Sequence, residues 1–253
     1  MTSAHSDTLM HGVRNSGPIS RPTVERTPAL AGASPATRPA PAALLRYGVN
    51  VALAALALII VSPVMLVVAL LVRLTSRGPV LYTQTRVGLD RRRDRGARDN
   101  HRRALDMGGK PFTIYKFRTM YVDAERHTGP VWATQDDPRI TPMGRFLRQY
   151  RLDELPQLIN VMKGEMNVVG PRPERPAIFA ELRQNISEYA LRQRAKPGIT
   201  GLAQINQHYD VCLDDVRRKV EYDLEYIQRQ SLVEDLKIML KTIPVVLLRR
   251  GGW

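Results

Sequence analysis

The chain has 253 residues, with 38 Lys or Arg against 24 Asp or Glu, and a formal charge of +14. Its 43% apolar content excludes a wholly disordered polymer, and its single cysteine, Cys212, excludes a disulfide framework or a Cys-based zinc site. Such a charge implies an anionic partner, which by charge alone could be nucleic acid, acidic lipid or a phosphorylated substrate.

Residues 1–43 are rich in Pro, Ser, Thr, Ala and Gly, lack an apolar period and read as a disordered tail. The stretch from Tyr47 to Val72 is free of charge for 26 residues. As a helix it would measure roughly 39 Å, against roughly 30 Å of bilayer hydrocarbon. It lies too far from the start for a signal peptide and is expected to stay in the mature chain. Ser62-Pro63 interrupts it, since Pro63 offers no N–H to the carbonyl of Ile59. A kinked spanning helix and a helix-break-helix that leaves by the face it entered are both open. Arginines on both flanks, Arg38 and Arg46 before and Arg73 and Arg77 after, lean toward the second.

Val80–Gln84 and Phe112–Arg118 read as strands, the second with Lys116 and Arg118 on its polar face. Between them, residues 90–109 hold seven Arg and four Asp without an apolar period and read as a solvated loop. Gly129-Pro130 marks a break in a polar stretch. Thr141-Pro142 opens a helix carrying Arg145, Arg148 and Arg151. The spacing of Leu155, Leu158, Ile159 and Met162 predicts an amphipathic helix, capped by Asp153 and stopped at Gly164. Gly170-Pro171-Arg172-Pro173-Glu174 reads as a stiff, non-helical segment and Lys196-Pro197-Gly198-Ile199-Thr200-Gly201 as a rigid turn. Residues 175–194, 214–229 and 232–248 read as helices.

Asp153-Glu154 carries the clearest chemistry. Adjacent carboxylates resist joint ionisation unless cations offset them. An ionised Asp there can act as a nucleophile toward phosphorus, and the pair suits Mg²⁺, which takes one or two carboxylates plus substrate phosphate. Ordinary helix capping is the alternative. Arg118, Arg148 and Arg172 sit in or beside restricted backbone and offer planar forks to phosphate oxygens. The histidines have no metal spacing, and the standard nucleotide-binding glycine loops are absent.

Six segments in this order resemble the bacterial sugar transferases, the monotopic polyprenyl-phosphate phosphoglycosyl transferases in their small form. They are Tyr82-x-Gln84-x-Arg86-Val87-Gly88, Lys116-Phe117-Arg118-Thr119-Met120, Asp137-Pro138-Arg139-Ile140-Thr141, Leu152-Asp153-Glu154-Leu155-Pro156-Gln157-Leu158, Gly170-Pro171-Arg172-Pro173 and Lys196-Pro197-Gly198-Ile199-Thr200-Gly201. The resemblance implies an α+β, mainly helical fold: a re-entrant membrane helix over 44–76 broken at Ser62-Pro63, then a membrane-associated cytoplasmic catalytic domain over 77–253 with a few short strands. It implies transfer of a sugar-1-phosphate from a nucleotide diphosphate sugar, usually a UDP-sugar, to undecaprenyl phosphate at the bacterial inner membrane. By the same likeness Asp153 is the nucleophile, Glu154 its partner and Mg²⁺ the metal at the pair, while Arg118, Arg148, Arg172 and Lys196 match basic positions for the phosphates. Residues 1–43 and 90–109 are additions to the pattern. A non-catalytic, membrane-anchored basic protein is the competing reading. The acidic pair argues against it, and the charge excess is then expected to serve phosphorylated substrate and membrane, with nucleic acid dropped. The sugar, the glycan pathway and self-association into a homo-oligomer are left open.

Overall fold

The computed structural model describes residues 40–90, 108–124, 126, 137–207 and 212–248. Residues 1–39 of the tail expected over 1–43, most of the basic loop, Gly129-Pro130 and residues 208–211 lie outside them. The described chain is mostly helical with four short strands, as expected.

Helix α1 runs over Ala40–Thr75. It begins four residues earlier than the tail reading allowed, and at 1.5 Å per residue it measures roughly 54 Å. The helix also continues through Ser62 and Pro63 instead of breaking there. The local chemistry explains this. Pro63 orphans the Ile59 carbonyl, and the Ser62 hydroxyl donates to that same carbonyl at 2.9 Å.

Only 11% of the apolar window of α1 is buried, unlike the central helix of a soluble core. Its buried side forms one stripe against the rest of the chain. Ala54, Ala57, Leu58 and Val61 pack with Phe112, Ile114, Leu158 and Val161. Val68 and Val72 pack with Phe117 and Leu147. Leu56, Ile59, Ile60, Leu66, Val67, Leu70 and Leu74 face outward.

Polar ties fasten the start of α1. The Asn50 amide oxygen accepts from the Val168 backbone N–H at 2.8 Å. Arg46 is buried and donates Nε to Asp235 Oδ2 at 2.7 Å and Nη2 to Oδ1 at 3.0 Å; the Tyr226 hydroxyl completes the group. Removing one member of a buried pair strands the other charge. Arg46→Met is therefore expected to cost about 3 kcal/mol or more, read as a lower melting temperature in detergent, and Asp235→Asn in the same background should recover part of it.

Strands β1 (Leu81–Val87) and β2 (Pro111–Phe117) form an antiparallel pair with Leu81 opposite Phe117 and Val87 opposite Pro111. Helix α2 (Pro142–Gln149) starts at Thr141, whose hydroxyl accepts from the Gly144 N–H at 2.9 Å. Gly144 packs flat on β2's exit: a Cβ there would lie 1.9 Å from the Thr119 carbonyl oxygen. Helix α3 (Gln157–Met162) is tied to β2 by Asn160, which is fully buried, donates to the Thr113 carbonyl and accepts from the Tyr115 N–H.

The expected helix start at Asp153 is corrected. Residues Leu152–Glu154 form a 3₁₀ turn entered through Arg151 at φ 57°, and α3 begins only at Gln157. In an α-helix the Leu152 carbonyl would accept from residue 156, but Pro156 has no N–H, so Leu155 N–H takes it instead at 3.3 Å.

Strands β3 (Asn167–Val169), in a stretch given no element from sequence, and β4 (Gly198–Thr200), within the expected rigid turn, pair in parallel. The single helix expected over 175–194 is two elements, α4 (Pro176–Asn185) and a 3₁₀ stretch over Ser187–Arg194. Ile186 is extended between them. The buried residues Ile186, Tyr189 and Arg192 then recur every third position, the period of a 3₁₀ helix. Short α5 (Leu202–Asn206) precedes α6 (Leu213–Arg229) and α7 (Leu232–Leu247). On α7, Val233, Leu236, Leu240, Ile243 and Leu247 are exposed.

Candidate active site

The 3₁₀ turn delivers Asp153 and Glu154, both buried, to the floor of a cavity of about 600 Å³. Nine basic and four acidic side chains line it, so its field favours anions.

Glu154 is the more heavily engaged carboxylate. Arg172 donates Nη2 to its Oε1 at 2.6 Å, Lys116 Nζ lies 3.0 Å from Oε1, and Arg151 Nη1 lies 3.7 Å away. Burial alone would oppose its charge, but Arg172, Lys116 and Arg151 outweigh that and hold the carboxyl well below the usual range. Asp153 lies differently. Lys116 Nζ lies 3.9 Å from its Oδ2, and burial pushes its carboxyl upward; Lys116 opposes that shift and the Glu154 charge adds to it. The sequence presents the two as equivalent neighbours, whereas the fold makes one a locked anion and the other a strained one.

Arg172 is positioned with particular care. Its Nη1 donates to Gln204 Oε1 at 2.8 Å. The extended segment that carries it is held at successive carbonyls: Pro171 by the Gly198 N–H, Arg172 by Arg192 Nη2 at 3.1 Å, Pro173 by Arg86 Nη1 at 3.1 Å, and Glu174 by the Val87 N–H. Arg192 is itself fully buried, with Nε 2.6 Å from Asp223 Oδ2.

The predicted site residues divide into two groups. Asp153, Glu154, Arg148 and Arg172 meet in the cavity, with Arg148 Nε bonded to Thr119 Oγ1 at 2.9 Å. Arg118 also lines it, but its donors go to the Ser76 and Arg77 carbonyls and the Ser76 hydroxyl, each at 2.7 Å, where they cap the end of α1. Lys196 is not among the cavity lining; its ammonium stands 4.8 Å from the ring centroid of Tyr47 on α1. Arg151, expected among the guanidinium groups beside the acidic pair, stands there, whereas Lys116, Gln204, Arg86 and Arg192 join the site without having been predicted in it. Lys116 was legible as the in-phase neighbour of Arg118 on β2. Arg86 stands in the first of the six motifs, while Gln204 and Arg192 act through the fold and leave no local pattern.

Two adjacent carboxylates facing a cavity lined mainly by cations match the donor set of Mg²⁺, which keeps its remaining positions for phosphate oxygens and water. Asp153 is the better donor of the two, because Glu154 shares its oxygens with Arg172 and Lys116. Among the described residues no group of three His, Cys, Asp or Glu forms a closed protein cage.

Comparison with known proteins matches residues 42–249 to the family model described as bacterial sugar transferase. The chain is 44% identical over 202 residues to the UDP-glucose:undecaprenyl-phosphate glucose-1-phosphate transferase of Escherichia coli, covering 79% of this chain and 39% of that protein. It therefore spans about two fifths of that relative. It is 41% identical to a Caulobacter vibrioides protein of the same name, covering 78% of this chain and 68% of the relative. It is 38% identical to the exopolysaccharide production protein ExoY of Sinorhizobium fredii, covering 81% and 86%.

Proposed function

The chain belongs to the bacterial sugar transferase family, and from that premise we propose that it moves a sugar-1-phosphate from a UDP-sugar to undecaprenyl phosphate through a covalent adduct on Asp153. The observation that carries this is the Asp153-Glu154 pair buried at the floor of a cavity lined mainly by cations.

In this reading Asp153 Oδ attacks the β-phosphorus of the UDP-sugar. A carboxylate O–P bond forms, the bridging P–O bond breaks, and UMP leaves with the electron pair. A phosphate oxygen of the lipid then attacks the same phosphorus and releases the carboxylate. The carboxylate must be ionised to attack, and burial makes it a stronger nucleophile than a solvated one. Arg148 and Arg151 stand close enough to bias Asp153 toward ionisation, and with Arg172 they offer positive charge where the diphosphate would sit. Mg²⁺, held by Asp153 and Glu154, would neutralise phosphate charge.

Membrane residence on one face is part of the proposal. Arg46 near one end of α1 and Val72 near the other are both fastened to the same domain. A straight crossing would draw those ends to opposite sides of the bilayer, roughly 39 Å apart by helix rise. The double-sided arginines favour the cytoplasmic face, and the outward apolar rows of α1 and α7 supply surface for the lipid.

The test is UMP release from a panel of UDP-sugars by the purified chain in nanodiscs, with and without undecaprenyl phosphate and with Mg²⁺ or EDTA. Release that needs Mg²⁺ and one UDP-sugar supports the reading; no release from any sugar overturns it. A pH profile adds detail. Because burial raises the Asp153 pKa above its ordinary 3.8, the acid limb of UMP release is expected above the usual carboxylate range. Lys116 opposes that shift, so Lys116→Met should move the limb to higher pH.

A further inference from the structure

We propose that Gln204 reads the sugar of the donor substrate, its amide Nε2 donating to an oxygen acceptor among the substituents of the sugar ring. This rests on the transferase reading above and adds to it the residue that tests the sugar.

The placement begins in the β3–β4 pair. Gly170 follows β3 and Gly201 follows β4, and their backbones pack so closely that a Cβ on Gly201 would lie 2.2 Å from the Gly170 carbonyl oxygen. Two residues beyond the first glycine stands Arg172; three beyond the second, on α5, stands Gln204. One short sheet therefore sets these two side chains beside each other. A guanidinium offers only donors, so the amide must turn its oxygen to Arg172, as the 2.8 Å bond shows. That fixes the other end as nitrogen. Nε2 is buried, has no hydrogen-bond partner among the described residues, and belongs to a side chain that lines the catalytic cavity. A buried donor left unmet is costly, and a substrate that meets it recovers the cost.

Charge and distance choose the acceptor. Phosphate oxygens are anionic and find Lys116, Arg148 and Arg151 in the same cavity. Gln204 is neutral, and its neighbour Ala203 adds apolar lining. That combination suits an uncharged ring carrying hydroxyl or acylamino groups. A single guanidinium separates the amide from Glu154, through contacts of 2.6 Å and 2.8 Å. In the donor, the sugar is carried by the phosphate that Asp153 attacks, whereas the nucleoside lies beyond a second phosphate. The first uncharged acceptors within reach of the acidic pair are therefore the sugar's. The sugar stays on that phosphorus through both half-reactions, so the same contact selects the donor and steadies the adduct.

The experiment starts from the UDP-sugar identified by UMP release. Its affinity is compared with those of four analogues, each lacking the substituent at carbon 2, 3, 4 or 6. Binding is measured by calorimetry on the full chain in nanodiscs with Mg²⁺, in an Asp153→Asn background that holds the donor without consuming it. Three forms are compared: Gln204 retained, Gln204→Met and Gln204→Ala. With Gln204 retained, one of the four deletions should weaken binding about tenfold through loss of the Nε2 bond. In both variants that penalty should fall below about twofold, while the other three deletions cost what they did before. UMP, which lacks the sugar, should lose less affinity in the variants than the UDP-sugar does. A residue that only braced Arg172 would weaken all five donors by one factor and leave their ratios unchanged; that result overturns the proposal. An equal loss for UMP and UDP-sugar also overturns it, by assigning the amide to the nucleotide. Absence of UMP release from the unmodified chain overturns the transferase reading instead, and this proposal with it.

Discussion

Asp153→Asn should abolish UMP release, by about a thousandfold or more, while leaving the protein folded. The amide is nearly isosteric but cannot form the acyl-phosphate bond and keep it. The fold makes a further, less expected prediction. Burial raises the Asp153 carboxyl pKa, which means the ionised form is held at a cost. For an acid whose folded pKa lies above its unfolded value, stability falls as pH rises through the interval between the two. Above that interval a neutral residue at 153 escapes the penalty. The Asn variant should therefore melt no lower than the unmodified chain at neutral pH, and the margin should shrink on acidification. Intact-protein mass after incubation with the cognate UDP-sugar supplies the second readout: a phosphosugar adduct on the unmodified chain and none on Asp153→Asn. Near-normal turnover by the variant would remove the nucleophile assignment.

Arg172→Met should be nearly as damaging, and for a different reason. Its guanidinium bridges Glu154 and Gln204, and Glu154 is among the most buried charges in the molecule. Methionine fills the space but leaves that carboxylate to Lys116 and Arg151. Stranding a buried carboxylate costs about 3 kcal/mol, so both melting temperature and activity should fall, the latter by about a hundredfold or more. Arg172→Lys should rescue little, because an ammonium cannot reproduce a fork that reaches a carboxylate and an amide together. Glu154 contributes with the opposite sign to Asp153: its folded pKa is depressed, so its stabilisation is present above its ordinary 4.5 and lost as pH falls below it. In Arg172→Met the Glu154 pKa rises toward that ordinary value, and acid denaturation should begin at higher pH. Arg192 supports the site by donating to the Arg172 carbonyl. Arg172→Met and Arg192→Lys are accordingly expected to be less than additive in activity.

What could be read from the sequence was decided by the range of the forces involved. The uncharged run that became α1 and the apolar period of α3 are local patterns that survive folding. Thr141-Pro142 began a helix as its capping chemistry requires. The error at Asp153 was also local but subtler: the missing N–H of Pro156 tightens the preceding turn instead of merely starting a helix, and that tightening buries both carboxylates. Strands β3 and β4 have three residues each and so show no period at all. Charge type was legible and charge assignment was not. Arg118, Arg172 and Lys196 look alike as cations in rigid motifs, yet one caps α1, one clamps Glu154 and one stands over Tyr47. Those destinations depend on contacts between residues far apart in the chain, such as Arg192 with Asp223, which no window of sequence contains.

The tie between Arg46 and Asp235 joins positions 189 residues apart. A ribosome adding about 5–20 residues per second needs roughly ten to forty seconds to make that interval. Throughout that time α1 is finished and the Asp235 partner of Arg46 does not yet exist. Contacts of α1 with β2, α2, α3 and Val168 can form first, and the charged latch at its start closes last, as synthesis reaches α7. A ribosome stalled between α6 and α7 would hold a nascent chain in which Asp153 and Glu154 are already made but Arg46 still lacks its counter-charge.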